Sequence, residues 1–380
     1  MVTLASFVYA ILKIKKGFNT SSDSETQSES EREMRQLCKN LTGEELYKKA
    51  YEYVDKDGEV TKYDSWKTFM SASASKDYIP AVREWGIYNK YKNSKVAEEM
   101  FTRAAEAGDA KATEELFNMY YYGVSSTPKI KKDVDKALQI ITPFADKGNA
   151  VAIRMLGKYY YYDKDDNDKA LELFLKAADG GDAEAMTEAA EIYFYQDDYQ
   201  EYKRLLLKAA EQNYADAESK LGYYYQNLDD FEPEKPDLPQ ALQWYKRASE
   251  HGDNTATCDV GEMYLNGEGT VKDEYEAANW FKKAMDAGSV YGTYLYGRCF
   301  MNGTGVAQDK KKGIKLYVEA AEYDEDAQCA LGICYLEGDG VEKDLKKAVF
   351  YLEKAVSDNY VKSEEAEAKL EELRASGIIK

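Results

Sequence analysis

Two serine–lysine pairs in this sequence have a spacing that can support nucleophilic catalysis, Ser73–Lys76 and Ser126–Lys129. In the serine enzymes that react with penicillin, a Ser-x-x-Lys pair supplies the nucleophile and a neighbouring amine. The chain has no Lys-Thr-Gly, which those enzymes also use, and a chain this rich in serine and lysine is expected to contain such pairs by chance. We therefore predict no enzymatic activity and keep a serine amide hydrolase of β-lactamase type as the weaker alternative.

The single histidine, His251, is the other residue with obvious catalytic or metal-binding chemistry. No motif pairs it with a serine, a cysteine or a second histidine. It stands just before Gly252, near the predicted end of a helix, where a partly cationic side chain is favourable. We expect a structural role for His251 and no catalytic residue in the chain.

Two acidic segments have a composition that suggests calcium, Asp55–Glu59 and Asp163–Asp168. An EF-hand loop requires glycine at its sixth position and glutamate at its twelfth. Counted from Asp55 these positions hold Val60 and Trp66, and counted from Asp163 the twelfth holds Phe174. Both loops fail the pattern, so we expect solvated acidic loops and no metal.

The segments "NGEGTV", "NGTGVA" and "EGDGVE" are rich in glycine and could be taken for phosphate-binding loops. They lack the Lys-Ser or Lys-Thr of a P-loop, and each follows a predicted helix instead of a strand. We interpret them as turns between helices that need a positive φ. No cofactor is predicted.

The formal net charge of the chain, −19 over 380 residues, restricts the classes of partner. A strongly acidic surface repels phosphate backbones, so we predict no nucleic-acid partner. The same surface favours a protein or peptide partner that carries basic groups.

The five cysteines show neither a CxxC motif nor a regular spacing, which argues against a disulfide framework or a zinc site. Such cysteines fit a reducing compartment, and we predict a cytoplasmic protein. An exported or membrane-associated regulator is the alternative.

The N-terminal part divides into two segments. Residues 1–18 form a short apolar and basic stretch that is too short to span a bilayer and does not resemble a signal peptide. Residues 19–36 read as an acidic, serine-rich linker. Any membrane contact is expected through the first of these segments alone.

The rest of the chain is repetitive. Related windows recur at intervals of between 31 and 40 residues, and in nearly all of them an aromatic residue stands three positions after the anchor. The anchors are Gly86, Phe117, Gly157, Ala190, Gly222, Gly261, Gly297 and Gly332. Such a period is typical of stacked helical units, because a single unit cannot bury both of its faces.

A second signature lies between the anchors. Pairs of alanines seven residues apart, such as Ala170 and Ala177, share one helix face, where small side chains permit close packing and an aromatic between them fills the groove. "AGD", "KGN", "GGD", "HGD" and "AGS" place a glycine after one helix and a capping residue before the next. Each unit is therefore predicted to be helix, turn, helix.

This combination resembles the Sel1-like repeat, a relative of the tetratricopeptide repeat. "LNGEGTVKD", "MNGTGVAQD" and "LEGDGVEKD" carry its glycine loop almost unchanged. The resemblance implies an all-α protein, a right-handed α/α solenoid of about eight or nine helical hairpins over residues 37–375. "LTGEELYKKAYEYV" is predicted to open the array and "EEAEAKLEELRASG" to cap it.

The 34 tyrosines exceed what the repeat core needs. Because consecutive helix residues are 100° apart, runs of tyrosine cannot all face the core. The extra tyrosines are Tyr121, Tyr122, Tyr159, Tyr161, Tyr162, Tyr223 and Tyr224. In the resembled solenoids the first helix of each hairpin lines the concave face, and these residues lie on first helices.

We therefore predict a non-catalytic scaffold or adaptor that holds a protein or peptide, of basic character, on the concave face. Tyrosine suits such a surface because it combines area, rigidity and a hydroxyl group. The predicted partner-binding residues are Tyr88, Tyr121, Tyr159, Tyr161 and Tyr224. Packing of these tyrosines inside the protein is the alternative.

Overall fold

The computed structural model describes residues 34, 36–55, 60–227, 235–357 and 363–379. Within these residues the regular structure is helical, apart from the isolated bridges Val54–Val60 and Val124–Ile130. The helices are α1 (Gly43–Tyr51), α2 (Tyr63–Ser75), α3 (Ile79–Lys90), α4 (Ser94–Glu106), α5 (Ala110–Tyr121), α6 (Val134–Asp146), α7 (Ala150–Tyr162), α8 (Asn167–Asp179), α9 (Ala183–Tyr195), α10 (Tyr199–Ala210), α11 (Ala215–Gln226), α12 (Leu238–Glu250), α13 (Asn254–Asn266), α14 (Glu274–Asp286), α15 (Val290–Asn302), α16 (Lys310–Ala320), α17 (Glu325–Glu337), α18 (Leu345–Ala355) and α19 (Glu364–Ala375). The predicted all-α repeat fold is confirmed.

The chain forms two compact units, Met1–Ile192 and Tyr193–Lys380. The predicted N-terminal segments, residues 1–18 and 19–36, lie almost wholly outside the described residues. The predicted limits of the repeat array, residues 37 and 375, remain predictions.

In the first unit, consecutive helices pair as hairpins, as in α3 with α4 and α7 with α8. The turns between hairpins follow the predicted chemistry. Gly108 has a φ of 89°, and the Asp109 carboxylate that follows accepts a hydrogen bond of 2.9 Å from the backbone N–H of Ala112. The glycine ends α4 and the aspartate begins α5, so the predicted helix boundary is confirmed here.

Each of these hairpins is held by an aromatic ring that sits against an anchor glycine. A Cβ atom on Gly157 of α7 would lie 2.6 Å from Cε1 of Phe174 on α8, and one on Gly86 would lie 2.6 Å from Cε1 of Phe101. Ala170 and Ala177, which flank Phe174 on α8, are fully buried. The predicted role of the small residues and the intervening aromatic is therefore confirmed.

In the second unit, the hairpins include α13 with α14, α15 with α16 and α17 with α18. The glycine loops form the turns inside these hairpins. Gly267 and Gly303 end α13 and α15 in the left-handed region, with φ of 78° and 75°. A residue with a Cβ is strained in that conformation, which explains the glycine and confirms the turn interpretation.

The two ends of the described array are helices with clear start signals. Thr42 and Glu45 form a capping box at the start of α1, with the Thr42 hydroxyl accepting from the Glu45 N–H. Ser363 caps α19, whose Leu370 and Leu373 are buried against the preceding hairpin. Both predicted end helices are present.

Candidate partner-binding site

Three of the five tyrosines predicted to bind a partner are buried. Tyr224 is 0% exposed, and Tyr88 and Tyr121 are each 8% exposed. The prediction that these rings offer contact surface is wrong, because the α-helical rotation directs them into the packing between helices. Tyr224, for example, lies 6.0 Å from the Tyr202 ring.

Tyr159 and Tyr161 are intermediate in exposure. The Tyr159 ring packs against Tyr160 with centroids 5.4 Å apart, and the Nζ of Lys164 lies 5.4 Å from the Tyr159 centroid. The Tyr161 ring packs edge-on against Tyr162 at 4.9 Å. Their part in binding remains a prediction.

Four other tyrosines, at the C-terminal ends of first helices or directly after them, are exposed. In the first unit Tyr91, Tyr122 and Tyr162 are 65%, 70% and 64% exposed. Each lies five residues after a repeat anchor. Tyr195, at the same position after Ala190, is 71% exposed. Their position in the repeat identifies them. Side chains three and four positions after an anchor point toward the protein interior, whereas side chains five positions after it point toward solvent.

Two of these exposed rings are held in the same way. Tyr122 is edge-on to Tyr121, with centroids 4.8 Å apart and an interplanar angle of 85°. Tyr162 is edge-on to Tyr161 at 4.9 Å and 86°. Perpendicular packing of this kind is a favourable aromatic geometry, so each exposed ring is positioned by a more buried neighbour.

Tyr122 and Tyr162 border a cavity of about 460 Å³ between α5 and α7, which we call the tyrosine pocket. This volume lies within the range of small-molecule and side-chain binding pockets, and it exceeds what one water molecule fills. The pocket is lined by Glu114, Phe117, Asn118, Tyr121, Tyr122, Lys132, Met155, Lys158, Tyr162 and Asp163.

The wall of the tyrosine pocket is braced by a buried cation, Arg154 of α7, which is 3% exposed. Its Nε lies 3.0 Å from Oδ1 of Asp182, and an Nη lies 3.4 Å from Oε2 of Glu114. Nη1 lies 2.6 Å from Oε1 of Glu184, an ion pair whose angle does not make a hydrogen bond. Burial would lower the pKa of the guanidinium, but Glu184, Asp182 and Glu114 outweigh it and raise the pKa.

Lys158, one helical turn after Arg154, shares Glu184 with it and also pairs with Glu188. Its Nζ lies 2.6 Å from Oε1 of Glu184 and 2.9 Å from Oε1 of Glu188. Because both contacts cross from α7 to α9, they join successive repeats as well as neutralising the amine.

A hydrogen bond from Tyr121 to Asp163 closes one side of the tyrosine pocket. Burial, followed by this bond to the carboxylate, raises the pKa of the Tyr121 hydroxyl. Lys132 lies over the Tyr121 ring at 5.5 Å from its centroid. Tyr121 therefore contributes structure and position to the pocket and leaves the accessible aromatic surface to Tyr122 and Tyr162.

The serines of the weaker alternative do not have the contacts of activated nucleophiles. Ser73 is fully buried and its hydroxyl donates to the carbonyl of Gly43, while Lys76 donates to the carbonyl of Lys39. The Ser126 hydroxyl is buried without a hydrogen-bond partner in the structure. A serine nucleophile needs a hydrogen bond to a base, and neither has one among the described residues.

The chain does contain a Ser-Asp-Asn tripeptide, which penicillin-reactive enzymes also use, at Ser357–Asn359. Its aspartate and asparagine lie outside the described residues. Ser357 follows α18 in the second unit and donates to the carbonyl of Lys354.

His251 has the structural surroundings that its sequence position predicts. It is the C-cap residue of α12, and its Nδ1 lies 2.6 Å from Oε2 of Glu218, whose carboxylate is fully buried. Arg247 lies 2.8 Å from the other oxygen of Glu218. The three residues form a closed cluster between α11 and α12.

Of the two acidic segments considered for calcium, Asp163–Asp168 is described throughout, whereas residues 56–59 of the other lie outside the described residues. Asp166 caps α8 by accepting from the N–H of Lys169. In the described part of the chain, no three His, Cys, Asp or Glu side chains are grouped as metal ligands. No described helix combines the length and apolarity that crossing a bilayer requires.

The sequence matches the family model of the Sel1 repeat in seven segments, which together make up more than half of the chain. The matched segments are residues 83–109, 110–149, 150–182, 215–253, 255–289, 290–322 and 325–360. The helices α9 and α10 lie between the third and fourth segments, at residues 183–195 and 199–210, without a match to the family model.

Solved structures of repeat proteins are similar to this chain. A Sel1 repeat protein from Oxalobacter formigenes is 27% identical, over 66% of this chain and 97% of its own, with a TM-score of 0.55. A protective antigen present in uropathogenic Escherichia coli strains, which displays an SLR fold, is 21% identical over 91% of this chain and 82% of its own, with a TM-score of 0.54. The second likeness concerns the fold alone. A comparison with curated protein sequences finds no match.

Proposed function

The chain belongs to the Sel1 repeat family, whose members generally mediate protein–protein interactions, and we propose that it is a non-catalytic scaffold that holds a protein or peptide partner at the tyrosine pocket. The pocket lies between two first helices, α5 and α7, on the face that we expect to be concave. The partner would be held by burial of its side chains between preformed walls.

The observation that supports this proposal is the pair of exposed rings at the mouth of the pocket. Tyr122 and Tyr162 are 70% and 64% exposed, although two large aromatic side chains would gain from burial. Tyrosine is enriched at binding hot spots because its rigid ring supplies contact area with little loss of conformational entropy. Since successive repeats hold the two rings in the same way, a partner meets them without reorganisation.

The proposed partner carries basic groups, in keeping with the net charge of −19. Carboxylates around the tyrosine pocket would accelerate association with such a partner and help to orient it. We also propose a cytoplasmic location. Its support is the state of the cysteines, which are all free thiols, four of them buried.

The test is a crosslinking pull-down from native lysate, with the full-length chain as bait and captured proteins quantified by mass spectrometry. The pocket variant carries Tyr122→Ser and Tyr162→Ser. The matched control carries Tyr275→Ser and Tyr323→Ser, at tyrosines that are 64% and 74% exposed but lie outside the pocket.

We expect the wild type and the control to enrich the same partner and the pocket variant to lose it by about tenfold or more, as for two hot-spot residues. Circular dichroism checks that all three baits are equally helical. Equal capture by both variants would remove the tyrosine pocket as the site. A wild-type bait that enriches no protein over empty beads would count against the scaffold role itself.

A further inference from the structure

We infer that the tyrosine pocket takes an arginine side chain of the partner, packed against Tyr122 and Tyr162 with its guanidinium paired to Glu114 and Asp163. This inference rests on the proposed function and specifies the chemistry of the partner at that same site. It follows from three features of the pocket, namely its charge balance, its exposed tyrosine rings and its volume.

The charge balance favours a cationic occupant. On and directly behind the pocket wall lie the cations Lys132, Arg154 and Lys158 and the carboxylates Glu114, Asp163, Asp182, Glu184 and Glu188. The carboxylates outnumber the cations. Arg154 already pairs with three carboxylates and Lys158 with two, so the positive charge of both is offset within the protein. An added cation would reduce the excess of negative charge.

Two carboxylates of the pocket retain accepting capacity toward a ligand. Glu114 has a side chain that is 35% exposed, and its contact with Arg154 is long, at 3.4 Å. Asp163 accepts one hydrogen bond from Tyr121. Because a carboxylate can accept about four hydrogen bonds, both can also receive the donors of a guanidinium.

The exposed rings supply the second part of the site. Elsewhere the same chain places its own cations over aromatic rings, with Lys136 4.0 Å from the Tyr120 centroid and Arg247 4.7 Å from the Trp244 ring. Among the described residues, no cation lies over Tyr122 or Tyr162 in this way. The faces of these two rings are therefore available to a cation of the partner.

Arginine fits this combination better than lysine. Its planar guanidinium stacks on aromatic faces and pairs with carboxylates through two parallel hydrogen bonds, whereas the ammonium of lysine is a compact and strongly hydrated charge. The pocket, at about 460 Å³, has room for the long side chain together with part of the partner backbone.

The test uses the full-length chain with 3-fluorotyrosine at position 122 and follows its ¹⁹F NMR signal during titration. The probes are the N-acetyl amides of arginine, lysine, citrulline and glutamate, up to about 50 mM. Citrulline has the shape of arginine without its charge. A second sample with the label at Tyr275, which is 64% exposed, reports non-specific effects on an exposed tyrosine.

We expect a saturable shift at position 122 with the arginine amide and a dissociation constant about tenfold lower than for the lysine or citrulline amide. The label at Tyr275 should not report saturable binding. Glu114→Gln should weaken arginine binding about threefold to tenfold and leave the citrulline titration unchanged.

Three results would overturn the inference. Equal affinity for the arginine and citrulline amides would show that the pocket does not recognise the positive charge. Preference for the glutamate amide would show that Lys132 and Lys158 select an anion. No shift with any probe would exclude the arginine site. None of these results removes the scaffold proposal, which the pull-down decides separately through loss of the captured partner.

Discussion

Gly261 on α13 lies so close to Phe281 on α14 that a Cβ atom on the glycine would be 2.5 Å from Cε1 of the ring. Phe281 is fully buried. Gly261 lies inside a helix and is not required by its backbone conformation. The glycine is therefore needed for the approach of the neighbouring ring, and this contact holds the two helices of the hairpin together.

Gly261→Ala should lower the free energy of unfolding by about 1–3 kcal/mol, because the added methyl group overpacks the contact with Phe281. Inside an unconstrained helix the same change would stabilise the protein by up to about 1 kcal/mol. Urea denaturation followed by circular dichroism measures the difference. In a Phe281→Leu background the cost should shrink, since the rigid ring is gone. A stabilising effect in the wild-type background would contradict the packing argument.

Arg154→Met should destabilise the protein by about 3 kcal/mol, because it leaves the buried carboxylate of Asp182 without its cation. Lys369→Met is the matched control, since it breaks an exposed pair with Glu372 that should contribute at most about 1 kcal/mol. Adding Glu184→Gln to Arg154→Met should recover part of the loss. The measurement is the urea midpoint of each variant, and equal effects of Arg154→Met and Lys369→Met would refute the prediction.

Asp259 should make stability fall as the pH rises from about 4 to 7. Burial, and then Glu262 and Asp253, raise the pKa of its carboxyl to about 7, whereas the unfolded value is near 3.9. Between these values the folded state holds the proton and the unfolded state does not, so folding is favoured at the acidic end of this window and the advantage is lost toward pH 7.

Asp259→Asn should therefore stabilise the protein by about 1–2 kcal/mol at pH 8 and by almost nothing at pH 4, where the aspartate is already neutral. Thermal unfolding at the two pH values measures this. Glu250→Gln, at an exposed carboxylate of α12, is the control for removing one negative charge from the protein. A gain that is the same at both pH values would argue against titration of Asp259.

Tyr224→Ser and Tyr162→Ser should differ sharply in stability although both remove a tyrosine from the end of a first helix. Tyr224 is 0% exposed, so its loss leaves a cavity and should cost about 3 kcal/mol or more. Tyr162 is 64% exposed and its replacement should change stability by about 0.5 kcal/mol or less. Urea midpoints compare the two, and a similar cost would mean that Tyr162 is a packing residue.

The thiols should divide into one reactive and four silent groups. Burial raises the pKa of Cys258 to about 12 and of Cys299 and Cys334 to about 11, and Cys329 is also buried with a raised pKa. Burial also raises the pKa of Cys38, but this thiol is only partly buried and a reagent can reach it. An aromatic disulfide reagent at pH 8 should therefore modify Cys38 alone in the folded protein. Denaturant should release the other four, and their rapid reaction without denaturant would contradict the buried placement.

The sequence predicted the hairpins well because their signals are local. Asp109 after Gly108 marks a boundary through its own backbone and side chain, and Gly267 marks a turn through its own φ. The choice among neighbouring tyrosines was less successful. Tyr121 and Tyr122 are adjacent and chemically identical, yet one is 8% exposed and the other 70%.

Sequence alone thus determined the repeat, its helix boundaries, the glycine turns and the aromatic that fills each hairpin, because these depend on residue type and spacing within one unit. The tertiary structure decided which tyrosines are exposed to solvent and whether a pocket forms between α5 and α7. It also decided that Arg154 pairs with carboxylates of neighbouring repeats. Those features depend on the rotation and separation of packed helices. A rotation of 100° per residue turns a one-position difference in sequence into the difference between core and surface.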